Sequence, residues 1–247
     1  MRSRPRAIAR RIAAAPPERI AAGVWLLRGG ITRSMNVYLL EDDGGVAVYD
    51  AGEKGMADAI VAAARRHGAI LRVVLSHADT DHRGAAPRLA ALAPVQCHAD
   101  AVAEAQGSGG RSYWHMERLP PAVRVVHGFM HDHVWDGGPV AIAGTLREGD
   151  VVAGFEVIEL AGHAPGLIGL WRASDRVALV SDCVYATSMW GASTEPHVPL
   201  DAYNLDTEEA RASLRRLAAL DPRLVGVGHA GPLGGPGLRS SLERAAG

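Results

Sequence analysis

The chain has 247 residues, 48% of them hydrophobic, enough to bury a large core as one domain or two. Its 26 basic and 27 acidic side chains leave a formal charge of −1, which argues against nucleic acid or an anionic membrane as a partner. Two cysteines, Cys97 and Cys183, are too few for a disulfide framework, and no apolar run approaches a membrane span.

The N-terminal M-R-S-R-P-R-A-I-A-R-R-I-A-A-A-P-P is basic, with apolar stretches too short for the core of a secretion signal, so a soluble cytoplasmic protein is expected. Residues 1–18 read as a mobile arm ending at Pro16 and Pro17, and residues 19–247 as a single α/β domain. Segments 24–27, 36–40 and 46–49 have strand character, the last two joined by the turn Glu41-Asp42-Asp43-Gly44-Gly45. Segment 56–67 places Met56, Ile60, Val61 and Ala64 on one helical face, and Gly68 stops it. An apolar strand at 71–75 follows, then a helix over 85–92 and a strand at 95–98. Residues 100–147 have weaker periodicity and carry His115, His127, His131 and His133. Strand signals resume at 155–160, 168–171, 177–181 and 224–227. Between the last two, Asp206 can cap a helix with Glu209 three positions on and Ala210, Leu214 and Leu217 as its buried stripe.

The chemistry concentrates after the strand at 71–75. Residues 75–85 read L-S-H-A-D-T-D-H-R-G-A, so His77, Asp79, Asp81 and His82 put four metal-capable side chains within a short loop. A buried strand fixes the backbone while the loop lets its side chains converge. Three later segments repeat the device: Gly162-His163, Ser181-Asp182 and Gly228-His229 each place one such residue at the end of an apolar strand, flanked by small residues. Singly these read as turn histidines or a capping aspartate; jointly they describe a metal centre. No Ser-His-Asp or Cys-His arrangement competes, because Ser76 and Ser181 lack a nucleophile-elbow context. Cys183 reads as a buried structural thiol, and His131-Asp132-His133 as a loop wall or surface pair.

On these residues the chain resembles the metallo-β-lactamase superfamily, whose pattern is H-x-H-x-D-H, then G-H in a tight turn, an aspartate ending a strand, and a final G-H. The resemblance covers roughly residues 20–235 and implies a four-layer αββα sandwich with a metal site at the sheet ends. It implies two divalent ions, zinc by default with iron or manganese open. His77 and His163 would bind the first, Asp81, His82 and His229 the second, and Asp182 would bridge them. Asp50, in V-A-V-Y-D-A-G, matches the family's aspartate that orients a ligating histidine, although a strand-end carboxylate capping a turn is the plain alternative. One departure stands out: Asp79 occupies the family's second histidine position. If it binds, a third carboxylate makes the centre a weaker Lewis acid that tolerates harder ions better.

The resemblance implies a hydrolase in which a metal-bridging hydroxide attacks the carbonyl of a lactone, ester or thioester, with Asp81 carrying a proton to the leaving group. Asp182-Cys183-Val184-Tyr185 is similar to the D-x-x-Y arrangement of N-acyl-homoserine lactonases, which makes Tyr185 a catalytic candidate for holding the oxyanion; core packing is its other reading. Trp114, Met116, Phe129, Met130, Trp135, Met189 and Trp190 fall where the family builds its pocket walls. The expected partner is a small-molecule substrate, with no nucleic acid, no membrane and a homodimer left open. β-Lactam hydrolysis, a di-iron oxidoreductase and a metal-binding module without turnover are the alternatives.

Overall fold

Strands that are buried on both faces must be apolar at nearly every position, and this chain obeys that rule. In the computed structural model, which describes residues 15–31, 33–188 and 193–247, the first seven strands form one sheet, and the two at its centre, 35–42 and 45–49, are the ones buried almost throughout. Its order follows the chain: β1 (Glu18–Ala21), β2 (Val24–Gly29), β3 (Met35–Asp42), β4 (Gly45–Tyr49), β5 (Ala69–Val74), β6 (Val95–His98) and β7 (Gly144–Leu146). β1 to β4 are antiparallel, whereas β4 to β7 run parallel. The β3–β4 hairpin pairs Asp42 with Gly45, so Asp43 and Gly44 form the turn the sequence points to.

The chain continues through β8 (Val151–Val152), β9 (Phe155–Glu159), β10 (Ile168–Arg172) and β11 (Val177–Ser181). β12 (Tyr185–Thr187) and β13 (Ser193–His197) pair as a separate ribbon, and β14 (Leu224–Val227) with β15 (Leu233–Gly234) rejoins the second sheet. That sheet runs β15-β14-β11-β10-β9-β8.

Alternation sorts each strand's side chains between two cores. On β3 and β4, Tyr38, Leu40, Ala47 and Tyr49 join Phe155, Ile168, Leu170 and Leu179 of the second sheet in the layer between the sheets. Val37, Leu39, Val46 and Val48 face the opposite way, toward α1 (Ala57–Ala64), whose Ile60 and Ala64 are buried against them. The short helices α2 (Thr80–Arg83), α3 (Ala86–Leu89) and α4 (Val102–Ala105) also flank the first sheet. Beyond α5 (Pro121–Met130), the second sheet's outer face carries α6 (Thr207–Ala219) and α7 (Leu238–Ala246), through Leu214, Leu217 and Leu242. The result is the αββα layering expected from the resemblance. The sheets are also tied by buried hydrogen bonds, Tyr38 Oη to Val227 O at 2.7 Å and Tyr49 Oη to Ile168 O at 2.8 Å.

Asp206 caps α6 through its carboxylate, which accepts from the backbone N–H of Glu208 and Glu209, as the capping pattern predicts. The helix expected over 85–92 is shorter, ending at Leu89. α5 lies in the segment of weak periodicity; none of its residues is fully buried, and Val123, His127 and Met130 form its half-buried side. Residues 1–14 of the expected arm lie outside the described residues; Ala15 N already bonds to Arg28 O at 2.6 Å, and Glu18 opens β1. No described helix is long and apolar enough to cross a membrane.

Candidate metal centre

β4 and β5 run parallel in one sheet, and β9, β11 and β14 share a direction in the other, so their C-terminal ends meet along one rim. Asp50 follows β4, Ser76 and His77 follow β5, His163 follows β9, Asp182 follows β11 and His229 follows β14. Two of these ends adopt left-handed backbone, Asp50 at φ 62° and Ser181 at φ 48°, a strain that non-glycine residues hold only where the surroundings enforce it. Gly228 admits no side chain: a Cβ there would lie 1.9 Å from Asp182 Oδ1 and 2.6 Å from His82 Cε1. The rim is closed down to the width of a backbone.

The seven residues expected to bind metal converge. His77, His163 and Asp182 place one ligand-capable atom each within 4.8 Å of one another, and so do Asp81, His82 and His229. Asp182 links the two groups, with Oδ1 3.3 Å from His82 Nε2 and Oδ2 3.4 Å from His229 Nε2 and 3.8 Å from His163 Nε2. Asp79 Oδ2 lies 3.6 Å from both His77 Nε2 and His163 Nε2. Asp81 Oδ2 is 3.4 Å from His229 Nε2.

These separations have a meaning. Ligand bonds of about 2.1 Å in tetrahedral geometry put donor atoms about 3.4 Å apart. Most contacts in the cluster are too long for strong hydrogen bonds but match such a polyhedron's edges. The back of each imidazole is also held. His82 Nδ1 donates to Asp50 Oδ2 at 2.9 Å, and His163 Nδ1 donates to Asn204 Oδ1 at 3.1 Å. Both acceptors fix the ring so that Nε2 points inward, free to bind a cation once it has shed any proton. His77 Nδ1 meets Ser76 Oγ at 2.8 Å, and Ser181 Oγ donates to the same Asp50 oxygen at 2.7 Å. His77 Nε2, His163 Nε2 and Asp182 Oδ1 are buried with no hydrogen bond of acceptable geometry. Buried polar atoms are rarely left this way, and a cation satisfies all three. The residues therefore fit a divalent metal.

Electrostatics agree. Burial alone would raise the Asp182 carboxyl and lower the imidazoles, but their mutual charges win. Asp182 is held well below the usual carboxylate range by His82 and His229, and His229 is pushed up to about 10 by Asp182 and Asp81. His82 is raised by Asp182 and Asp81, and His163 by Asp79 and Asp182. A cation bound among these carboxylates would take the place of the imidazole protons.

Tyr185 stands beside the cluster, its ring centroid 6.2 Å from that of His163 and 5.6 Å from that of His229. Burial and the Asp182 charge raise its phenol well above the ordinary value, so it keeps its proton. Among the expected pocket residues, Trp114 and Trp135 pack edge-on against His127, which stacks on Tyr203. Phe129 is exposed instead, against His133, while Met189 and Trp190 lie outside the described residues. His131 and His133 enter no group of metal-capable side chains among the described residues. Asn204 and Tyr113, both in contact with cluster residues, carried no signal in the sequence: neither sits in a recognisable motif.

Comparison with known proteins agrees with the geometry. A probable metallo-hydrolase, YflN of Bacillus subtilis (strain 168), is 34% identical over 91 residues, which is 34% of this chain and 34% of that protein. Among solved structures, a β-lactamase domain protein from Burkholderia ambifaria superposes with a TM-score of 0.66 at 24% identity, over 93% of this chain and 74% of that one. The metallo-beta-lactamase family protein TTHA1429 from Thermus thermophilus gives a TM-score of 0.62 at 23% identity, covering 92% and 78%. TTHA1623, solved in a di-iron-bound form, gives 0.60 at 23%, covering 85% and 93%. The family model of the metallo-beta-lactamase superfamily matches residues 31–229, a stretch that contains every one of the converging ligands, and the chain belongs to that superfamily.

Proposed function

We propose that the protein is a dinuclear metal-dependent hydrolase acting on the carbonyl of a small lactone, ester or thioester. His77, Asp79 and His163 would hold one ion, Asp81, His82 and His229 the other, with Asp182 between them. The observation that carries the reading is the inward set of imidazole Nε2 atoms at ligand-edge distances, two of them buried and unpartnered. Bound ions supply the charge that acidifies water near neutral pH and polarises a carbonyl oxygen. The chain supplies the rest. Asp50, Asn204 and Ser76 keep the imidazoles in their inward orientation. Tyr185, neutral and beside both groups, donates its O–H to the oxygen that gains charge. Asp81, ionised and part-exposed at the open side, takes up a proton and delivers it to the leaving group.

The test is a hydrolysis screen over lactones, esters, thioesters and β-lactams, before and after chelation. Turnover of a carbonyl substrate that vanishes on chelation and returns with zinc is expected; turnover indifferent to chelator would refute the proposal. A second reading, a di-iron centre, is favoured by the third carboxylate at Asp79 and by a fold relative solved in a di-iron-bound form. Two irons in protein purified without added metal, with redox turnover in place of hydrolysis, would decide for it.

A further inference from the structure

Asp79 occupies the first position before α2, where an aspartate ordinarily accepts a hydrogen bond from the helix's own N–H groups. It makes no such bond. Its carboxylate is turned instead toward the segment after α4. There Oδ1 accepts the phenol O–H of buried Tyr113, and Oδ2 accepts Trp114 Nε1–H at 3.3 Å while facing His77 and His163 at 3.6 Å each. Two aromatic donors on adjacent residues thus grip one carboxylate and leave its inner oxygen toward the imidazoles.

The grip is anchored from below. Arg83, on the same helix turn as the ligands and fully buried, donates to Glu104 O, to Ala105 O at 2.6 Å and to Gly107 O at 3.0 Å. The Glu104 carboxylate in turn accepts from Ser108 Oγ and from Gly110 N, both at 2.8 Å, and from Ser112 Oγ. The chain between Glu104 and Tyr113 is therefore fixed to the ligand loop at several points. Gly110, at φ 100°, is where it presses closest: a Cβ there would sit 2.7 Å from Asp79 Oδ1 and 2.3 Å from Trp114 Cζ2. Only glycine fits both the backbone and the space.

We infer that Tyr113 and Trp114 are positioning residues that make Asp79 a working metal ligand in a place where the family pattern carries histidine. The inference rests on the dinuclear reading above. A histidine ligand is neutral and is steered by a hydrogen bond at its far nitrogen, whereas a short, freely rotating carboxylate adds charge and needs steering at its own oxygens. Two neutral donors meet both needs: they orient Oδ2 and draw off part of the added negative charge.

The experiment measures metal, not turnover. Wild type, Tyr113→Phe, Trp114→Phe and Asp79→Ala are stripped and titrated with zinc against a chromophoric chelator, and bound zinc per chain is counted. Each aromatic variant should weaken one of the two sites by about 10-fold or more and leave the other unchanged. In the Asp79→Ala background, which should lose one ion, adding Tyr113→Phe should change the remaining affinity no further. Tyr113→Phe removes a single oxygen and keeps the ring in its seat, so folding is preserved; the unchanged second site reports this. Wild-type affinity at both sites in the aromatic variants, with Asp79→Ala still losing an ion, overturns the grip but spares the dinuclear reading. Two ions retained by Asp79→Ala overturns Asp79 as a ligand, and no zinc bound by wild type overturns both.

Discussion

His77 and His163 are 0% and 1% exposed, whereas His229 and Asp81 in the other half of the cluster keep 17% and 18% of their side chains in contact with solvent. The buried half contains unpartnered nitrogens that water does not reach. In the open half His229 and Asp81 reach solvent, although His82 is as buried as His77. Under the proposed function the difference assigns separate tasks within one cluster: an ion in the closed half would offset its buried polar atoms, and the open half would admit the substrate. Asp182 belongs to neither alone, with its two oxygens directed at His82, His229 and His163.

The most damaging substitution should therefore be Asp182→Asn. It keeps the shape, removes the charge shared by both halves, and should deplete both ions together. The loss of hydrolysis should exceed the roughly 10- to 100-fold typical of losing an outer partner of a metal ligand. Bound zinc per chain, measured with the rate, checks it; two ions retained at full affinity would break the comparison at its centre.

A gentler probe distinguishes the halves by protons. Metal ligation needs an unprotonated Nε2, yet Asp182 and Asp81 hold the His229 proton up to about 10, and His82 is raised by the same carboxylates. A folded-state value above the working pH means that an entering ion must displace a proton. Zinc affinity should rise with pH through the neutral range and level off near about pH 10. Calorimetry in two buffers of different ionisation enthalpy should report proton release at about pH 7.5. His229→Ala should lower that release by up to one proton, because the open half is where this proton sits.

The rim of strand ends was legible because its signals are local. H-x-D-x-D-H and the single-ligand turns each lie next to an apolar strand, and β5, β9, β11 and β14 place them together by direction alone. What could not be read is what depends on long-range contact. Asn204 reaches His163 from a loop 41 positions away, and Tyr113 reaches Asp79 across 34 positions, each by one hydrogen bond that no periodicity records. α5 escaped for a different reason: Val125, Val126 and Phe129 are exposed, and the side it turns inward, through Val123, His127 and Met130, is only half-buried and carries a histidine among its apolar residues. Asp50 reads in the sequence as a turn cap or as a histidine's partner, and only geometry separates the two: its Oδ2 is 2.9 Å from His82 Nδ1.

The smallest expected effect concerns Glu53, buried beside the open half with its carboxylate accepting from Ile31 N at 3.2 Å. Burial and the nearby Asp81 charge push its carboxyl up to about 7, from 4.5. Below pH 4.5 the group is protonated whether the chain is folded or not, and it contributes nothing to pH dependence. As pH rises from 4.5 to about 7 the unfolded chain releases this proton while the folded chain retains it, so stability falls through that window and stays lowered above it. The full difference is of order 3 kcal/mol. In metal-free protein, Glu53→Gln should therefore match wild type in Tm at about pH 4.5 and exceed it by roughly 6 to 12 °C at about pH 8. Loading with zinc places positive charge beside Asp81 and removes part of the cause, so the advantage should shrink in the holoprotein. An advantage equal at both pH values, or unaffected by zinc, would detach Glu53 from the open half and leave it an ordinary buried carboxyl.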